Sequence, residues 1–297
     1  MMPTETPPHI QAPVFSEPPP SLNTHYEKAA STLWIGLQQD AHRIHHMSAD
    51  VLQRLRGLVQ QVAESDFHWQ GAGPDFPVHY AVLHSEHREY FNLGADLSHV
   101  LECIRRQDGG SLRRYAMQTM DAMFLWGTAW NHAATTLALV QGRALGTGFE
   151  AALAADYLIA EDGAEFGFPE ILFGLFPCGG ALSLLGRRIG LAPAERLLRS
   201  GRLYGAAELM EMGVIDHLCP AGQGEAAARA FIDEHATRRK ARLAVQRARA
   251  RLHPLDYAEL AAEAADWVEV ALQLNEEQQR LLHTLARMQH SDLAAFH

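Results

Sequence analysis

Apolar residues along the chain follow two alternating rhythms. A short, nearly continuous apolar run at 32–37 (TLWIGL) and the segment at 42–47 (HRIHHM) flank a polar turn and predict paired strands. Over 50–64 the apolar positions Val51, Leu55, Leu58 and Val62 recur at helical spacing and predict one buried helix face. A further strand is predicted at 78–84, leading into FNLGADL (91–97), then a helix to about residue 106, a second helix over 112–126 and a strand at 137–141. Parallel neighbours need a long return connection, which a helix fills, so this alternation predicts an α/β fold with parallel strands. After Gly179 the pattern becomes almost wholly helical. Within 256–289 Tyr257, Leu260, Ala264, Trp267, Ala271 and Leu274 mark one buried helical face. No internal repeat is visible.

Composition sharpens this picture at the ends. Seven of the 14 prolines fall in the first twenty residues, where few large apolar groups offset the entropy of ordering, so residues 1–28 are expected to form a flexible tail. An α/β core is expected over 29–220 and a helical region over 221–297. With 297 residues, one core carrying a helical appendage suffices. The 25 basic against 35 acidic residues leave a formal charge of −10, which argues against nucleic acid and anionic membrane as partners. Cys103, Cys178 and Cys219 are odd in number and widely spaced, fitting neither a disulfide framework nor a cysteine zinc site, and pointing to a reducing compartment. There is no leader-like N-terminal segment and no long apolar run, so a cytoplasmic protein without membrane insertion is expected.

Candidate chemistry concentrates in QGRALGTGFEAALAADYLIAEDGAEFGFPEILFGLFPCGG (141–180). It places Glu150 directly after a glycine-interrupted turn and Glu170 twenty residues later. Gly146, Thr147 and Gly148 follow an apolar strand and precede EAALAA, so their N–H groups stand at a helix N-terminus, where negative charge is favoured. A carbonyl gains negative charge as its α-carbon loses a proton, and preorganised N–H donors stabilise that enolate. FNLGADL offers a second such turn at Gly94 and Ala95. Glu150 and Glu170 both lie among apolar residues; burial and mutual proximity raise carboxyl pKa values and can split two acids into one acid and one base. Residue spacing alone also accommodates a plain reading, with Glu150 an ordinary first-turn helix acid and Glu170 a solvated loop acid.

Other features carry less. His42, His45 and His46 cluster, as do His84 and His87, but without HExxH spacing, so no metal site is expected and no cofactor is implied. Met117, Met120 and Met123 recur at helical spacing, as on a core or subunit face. The basic run at 236–252 reads first as a solvated face, second as a surface for a phosphopantetheine arm or acidic carrier protein. Cys178, in FPCGG, has no neighbouring base in sequence and reads as an inert small residue.

FNLGADL (91–97) and ALVQGRALGTGFEAALAADYLIA (138–160) resemble, in the expected order, the two signature segments of the crotonase, or enoyl-CoA hydratase/isomerase, superfamily. GFPEILFGLFPCGG and GRLYGAAELMEMGVIDHLCP extend the resemblance to about residue 220. The asparagine of FNLGADL, GFEAAL, PEILFGLFP and ADWVEVALQL look more narrowly like the diffusible signal factor synthases, which make cis-2-unsaturated fatty acid signals. The resemblance implies a crotonase-like ββα-superhelix core with a C-terminal helical region. It implies Glu150 and Glu170 as catalytic carboxylates, the N–H groups of Ala95 and Thr147 as the oxyanion hole, Gly94, Gly146 and Gly148 around the substrate, and Trp267 on a helix covering an acyl pocket. The implied substrate is a fatty 3-hydroxyacyl thioester on acyl carrier protein or coenzyme A, dehydrated and then hydrolysed to the free acid. Trimer-based homo-oligomers and a sensor kinase partner are implied as well. An ordinary enoyl-CoA hydratase or isomerase, and an inactive regulator that binds a sensor kinase, are the alternatives. One departure stands out: the family's usual glycine at the oxyanion position is Thr147 here, and a β-branched residue tolerates positive φ poorly.

Overall fold

A computed structural model of the chain describes residues 22–37, 46–72, 76–130 and 133–290. Strand β1 (Asn23–Glu27) runs antiparallel to β2 (Thr32–Gly36), pairing Asn23 with Gly36 and Glu27 with Thr32. The antiparallel partner of β2 is therefore the preceding segment. Of the expected 42–47 strand, residues 42–45 lie outside the described residues and Met47 makes a single parallel bridge to Ala95. The stretch assigned to a tail thus becomes strand by Asn23. NTHYE escapes hydrophobic patterning because an edge strand is held by backbone pairing and can stay polar on its open side.

Ser48 caps α1 (Ala49–Glu64) by accepting from the Val51 N–H, and Leu52, Leu55, Leu58, Val59 and Val62 are its buried residues. After β3 (Tyr80–His84) and β4 (Tyr90–Asn92), Asp96 caps α2 (Leu97–Arg105) and Asp108 caps α3 (Gly109–Thr128). Met120 and Met123 are fully buried on α3, which makes the methionine face a core face. Strands β5 (Thr135–Val140) and β6 (Arg143–Leu145) precede the short α4 (Thr147–Ala154). Next come β7 (Tyr157–Glu161), β8 (Glu165–Gly167) and a 3-10 turn at Pro169–Phe173. The remainder is α5 (Ala181–Ile189), α6 (Leu191–Ser200), β9 (Leu203–Gly205), α7 (Ala206–Glu211), β10 (His217–Cys219), α8 (Gly224–Ala236), α9 (Arg239–Leu252), α10 (Tyr257–Leu272) and α11 (Glu276–His290). The almost wholly helical stretch expected after Gly179 is interrupted by β9 and β10, each too short to show a period of two.

Two sheets result. The larger has the order β1-β2-β3-β5-β7-β10, parallel from β2 onward, and the smaller has the order β4-β6-β8-β9 with only β9 antiparallel. Every residue of β5 is buried, as a central parallel strand covered on both faces requires. One face of the large sheet meets α8 through Trp34, Tyr80, Val82, Leu137, Leu139, Ile159 and Ile232. The main core fills the other side, where α1 and α10 pack on α3. Helix α11 lies against α2 and the Pro169–Phe173 turn. Among the described residues, no helix is long and apolar enough to cross a membrane.

Candidate active site

Two strand-to-helix turns meet at the site, one joining β4 to α2 and the other joining β6 to α4. Each bends at a glycine with positive φ, Gly94 at +86° and Gly146 at +49°. A Cβ on Gly94 would stand 2.8 Å from the Leu145 carbonyl oxygen, so the turns abut because Gly94 carries no side chain; one on Gly146 would lie at an ordinary 3.7 Å from the Gly94 Cα. Gly148 serves the same contact, since its Cβ would stand 2.5 Å from the Asn92 carbonyl oxygen. Thr147 begins α4 and is 2% exposed, and the positive φ falls one residue earlier, on Gly146. Threonine here adds bulk without backbone strain.

The first turn is tied down at several points. The Gly94 N–H donates to Asn92 Oδ1 (2.9 Å), its carbonyl accepts from the Met47 N–H (2.7 Å), and the Asp96 N–H donates to the Tyr115 hydroxyl (2.8 Å), which itself donates to the Met47 carbonyl (2.7 Å). In the second turn the Gly146 N–H donates to the Gly167 carbonyl (3.0 Å) and the Gly146 carbonyl accepts from the Glu150 N–H (3.0 Å). The N–H groups of Ala95 and Thr147 meet no acceptor among the described residues.

Glu150 is completely buried in the first turn of α4. Its Oε1 accepts from the N–H groups of Gly179 (2.8 Å) and Ala181 (3.1 Å), while Oε2 is buried without a partner among the described residues. Burial first, then the Glu170 and Glu263 charges, push its carboxyl up to about 8, against the lowering effect of the two N–H donors. Glu170, on the 3-10 turn, also has a buried and unpartnered Oε2, and burial raises its carboxyl to about 7. Missing side chains make room for both. A Cβ on Gly179 would stand 2.5 Å from Oε2 of Glu150, and one on Gly146 would collide with Oε1 of Glu170. Cys178, buried beside them, has its thiol pushed well above the ordinary range by burial and by the two carboxylates, so it stays protonated and non-nucleophilic at neutral pH.

A cleft of about 280 Å³ opens at Glu170, Ala95 and Gly146. Its apolar walls come from Leu93, Leu97, Leu145, Pro169 and Phe173, and α11 adds Leu285, Met288 and Gln289. Tyr90 and Arg143 also line it, the latter ion-paired with Glu165 at 2.7 Å. Of the expected site residues, Ala95, Gly146 and Glu170 line this cleft, while Gly94, Thr147, Gly148 and Glu150 adjoin them without lining it. Trp267 is not among the residues lining this cleft; it is 3% exposed and packed in the main core. Among the described residues, no group of three or more His, Cys, Asp and Glu side chains could hold a metal ion.

Sequence reading missed the Gly179 and Ala181 donors, the Tyr115 anchor and the cleft residues of α11. The paired glycines of FPCGG were a visible signal for the first. The others leave none in local pattern. Chemically, the arrangement offers two uncommitted backbone donors next to two carboxyl groups with pKa values near neutrality, which suits proton removal beside a carbonyl and proton delivery to a departing group.

Comparisons with known proteins give the same direction. A family model described as enoyl-CoA hydratase/isomerase matches residues 73–280. The chain is 34% identical over 137 residues to the probable enoyl-CoA hydratase EchA17 of Mycobacterium bovis, covering 46% of this chain and 49% of that protein. It is 42% identical over 86 residues to the mevalonyl-coenzyme A hydratase SIDH of Beauveria bassiana, covering 29% and 31% respectively. The chain thus spans about half the length, or less, of these curated relatives. In fold it is similar to an enoyl-CoA hydratase from Bacillus halodurans, with a TM-score of 0.73 at 22% identity over 89% of this chain and 100% of that one. It is also similar to DspI of Pseudomonas aeruginosa, with a TM-score of 0.61 at 21% identity over 93% and 99%. At these identities the structural likeness is one of fold alone. The family model, which runs from just before β3 into α11, carries the assignment: the chain belongs to the enoyl-CoA hydratase/isomerase family.

Proposed function

We propose that this protein removes water from, or adds it to, the C2–C3 bond of a fatty acyl thioester. The observation that carries this reading is the Glu150 and Glu170 pair, each with a buried Oε2 that has no partner among the described residues, beside the N–H groups of Ala95 and Thr147, which meet no acceptor among them. The thioester oxygen sits on those N–H groups. One carboxylate takes the C2 proton, the C2–H electron pair becomes the C2–C3 double bond, and the other carboxyl protonates the departing 3-hydroxyl, which leaves as water. Hydration is the reverse. The apolar walls of the cleft suit an acyl chain.

A finer reading has the substrate as a 3-hydroxyacyl group on acyl carrier protein, and the product as a free cis-2-unsaturated acid with a signalling role. Water then attacks the thioester carbonyl on the same N–H pair, a carboxylate takes its proton, the C–S bond breaks and the thiol leaves protonated. Support comes from the Asn92, GFEAAL, PEILFGLFP and ADWVEVALQL segments, and a sensor kinase partner and trimeric assembly belong to the same reading. Purified protein would be incubated with long-chain 3-hydroxyacyl thioesters of carrier protein and of coenzyme A, with products read by mass spectrometry. Free 2-unsaturated acid supports the signal synthase. Enoyl thioester without free acid assigns an ordinary hydratase, and no turnover of either substrate leaves a binding protein.

The active pair must hold one proton. With carboxyls raised to about 7 and about 8, kcat/KM is expected to be bell-shaped. It falls at low pH as the base protonates and at high pH as the acid ionises, with apparent values that belong to the pair. A profile flat between about pH 5 and 10 would contradict this division of labour.

A further inference from the structure

We propose that Gln289 is a positioning residue: its amide, carried by α11, holds the 93–97 turn in the geometry that presents the Ala95 N–H to the thioester oxygen. This rests on the acyl-thioester reading above. The Gln289 side chain is 7% exposed and makes three bonds to one turn. Its Nε2 donates to the carbonyls of Leu93 (3.1 Å) and Ala95 (3.0 Å), and its Oε1 accepts from the Leu97 N–H (3.2 Å). Residues 93, 95 and 97 are alternate positions, so one amide pairs with the turn much as the edge of a neighbouring strand would. Helix docking by itself needs no such group. Leu282 and Ala286 are buried on α11 and supply apolar contact, whereas a buried amide is costly unless bonded.

The position of these bonds gives them their consequence. Asn92, Met47 and Tyr115 hold Gly94 and the Asp96 N–H, but Gln289 alone among the described side chains takes the carbonyl of Ala95. Through the Leu93 and Ala95 carbonyls it fixes the 93–94 and 95–96 peptides, which flank the 94–95 peptide that carries the Ala95 N–H. Loss of the amide frees the 93–94 and 95–96 peptides and spoils the aim of the Ala95 N–H between them. Gln289 also lines the cleft that Ala95 and Glu170 line.

The test uses steady-state kinetics of the full chain with the thioester that turns over. Gln289→Leu is expected to lower kcat by about 10- to 100-fold with KM changed by less than about threefold, because misplacement of a donor is felt at the transition state. Gln289→Glu sets a carboxylate against two carbonyl oxygens. Its kcat relative to wild type is expected to recover as pH falls and the protonated carboxyl regains one donor. Leu282→Ala loosens α11 while leaving the amide, and is expected to lower the melting temperature more than kcat. Equal kcat losses in Leu282→Ala and Gln289→Leu would assign the effect to helix docking and overturn the role of the amide. A kcat of Gln289→Leu within twofold of an active wild type would overturn this proposal and leave the hydratase reading standing, whereas an inactive wild type overturns both.

Discussion

Glu150→Gln is expected to lower kcat by about 10³-fold, in the range that a positioned proton-transfer group contributes. It is also expected to make the protein more stable at alkaline pH. The two effects share one cause, the burial of an ionisable carboxyl with one unpartnered oxygen. Unfolded, this carboxyl ionises near 4.5; folded, near 8. Between those values folding takes up a proton, so the contribution of Glu150 to stability is greatest below pH 4.5. It declines by roughly 1.4 kcal/mol per pH unit as pH rises toward the folded value. Glutamine keeps an oxygen for the Gly179 and Ala181 N–H groups and carries no charge to desolvate. Melting temperatures of wild type and variant, measured from pH 5 to 8.5, should diverge progressively in favour of the variant. Parallel curves would show that the Glu150 carboxyl is not desolvated. An unchanged kcat would remove it from the chemistry.

Gly146→Ala is expected to cost about 10²-fold in kcat, the scale of a misplaced reacting group, and about 1–3 kcal/mol in stability from backbone strain. Gly146 sits at φ +49° and ψ −125°, outside the conformations that suit an L-residue, and the added methyl would run into Oε1 of Glu170. The Gly94 Cα stays at an ordinary 3.7 Å, so the shift falls on the Gly146 turn and on one carboxylate. Gly163→Ala is the matched control, since nothing lies within 4 Å of a Cβ built there. Equal kinetics for Gly146→Ala and Gly163→Ala would mean that close packing at the Gly146 turn is irrelevant to turnover. The decisive pattern is a kcat loss in Gly146→Ala with a normal Gly163→Ala enzyme.

What sequence alone determined here is what a contiguous segment can report about its own surroundings. The spacing of Leu55, Leu58 and Val62 shows a helix face, the alternation of apolar strands and helices shows parallel pairing, and FNLGADL and ALGTGFE show two strand-to-helix turns next to a carboxylate. The tertiary structure decided whatever depends on which segments meet. β1 pairs with β2 through its backbone, and its polar side chains leave no hydrophobic trace. Trp267 has the same helical spacing whether it packs in the core or lines a cleft, and only the docking of α10 on α3 places it in the core. A threonine after a glycine leaves the location of the positive φ open until the chain is traced, and it falls on Gly146. Glu150 draws its donors from Gly179 and Ala181, and Gln289 reaches a turn 192 to 196 residues away. Periodicity records the burial of a segment, while the identity of its partner is set by three-dimensional packing, which is why both turns and Glu150 were legible and the groups that hold them were not.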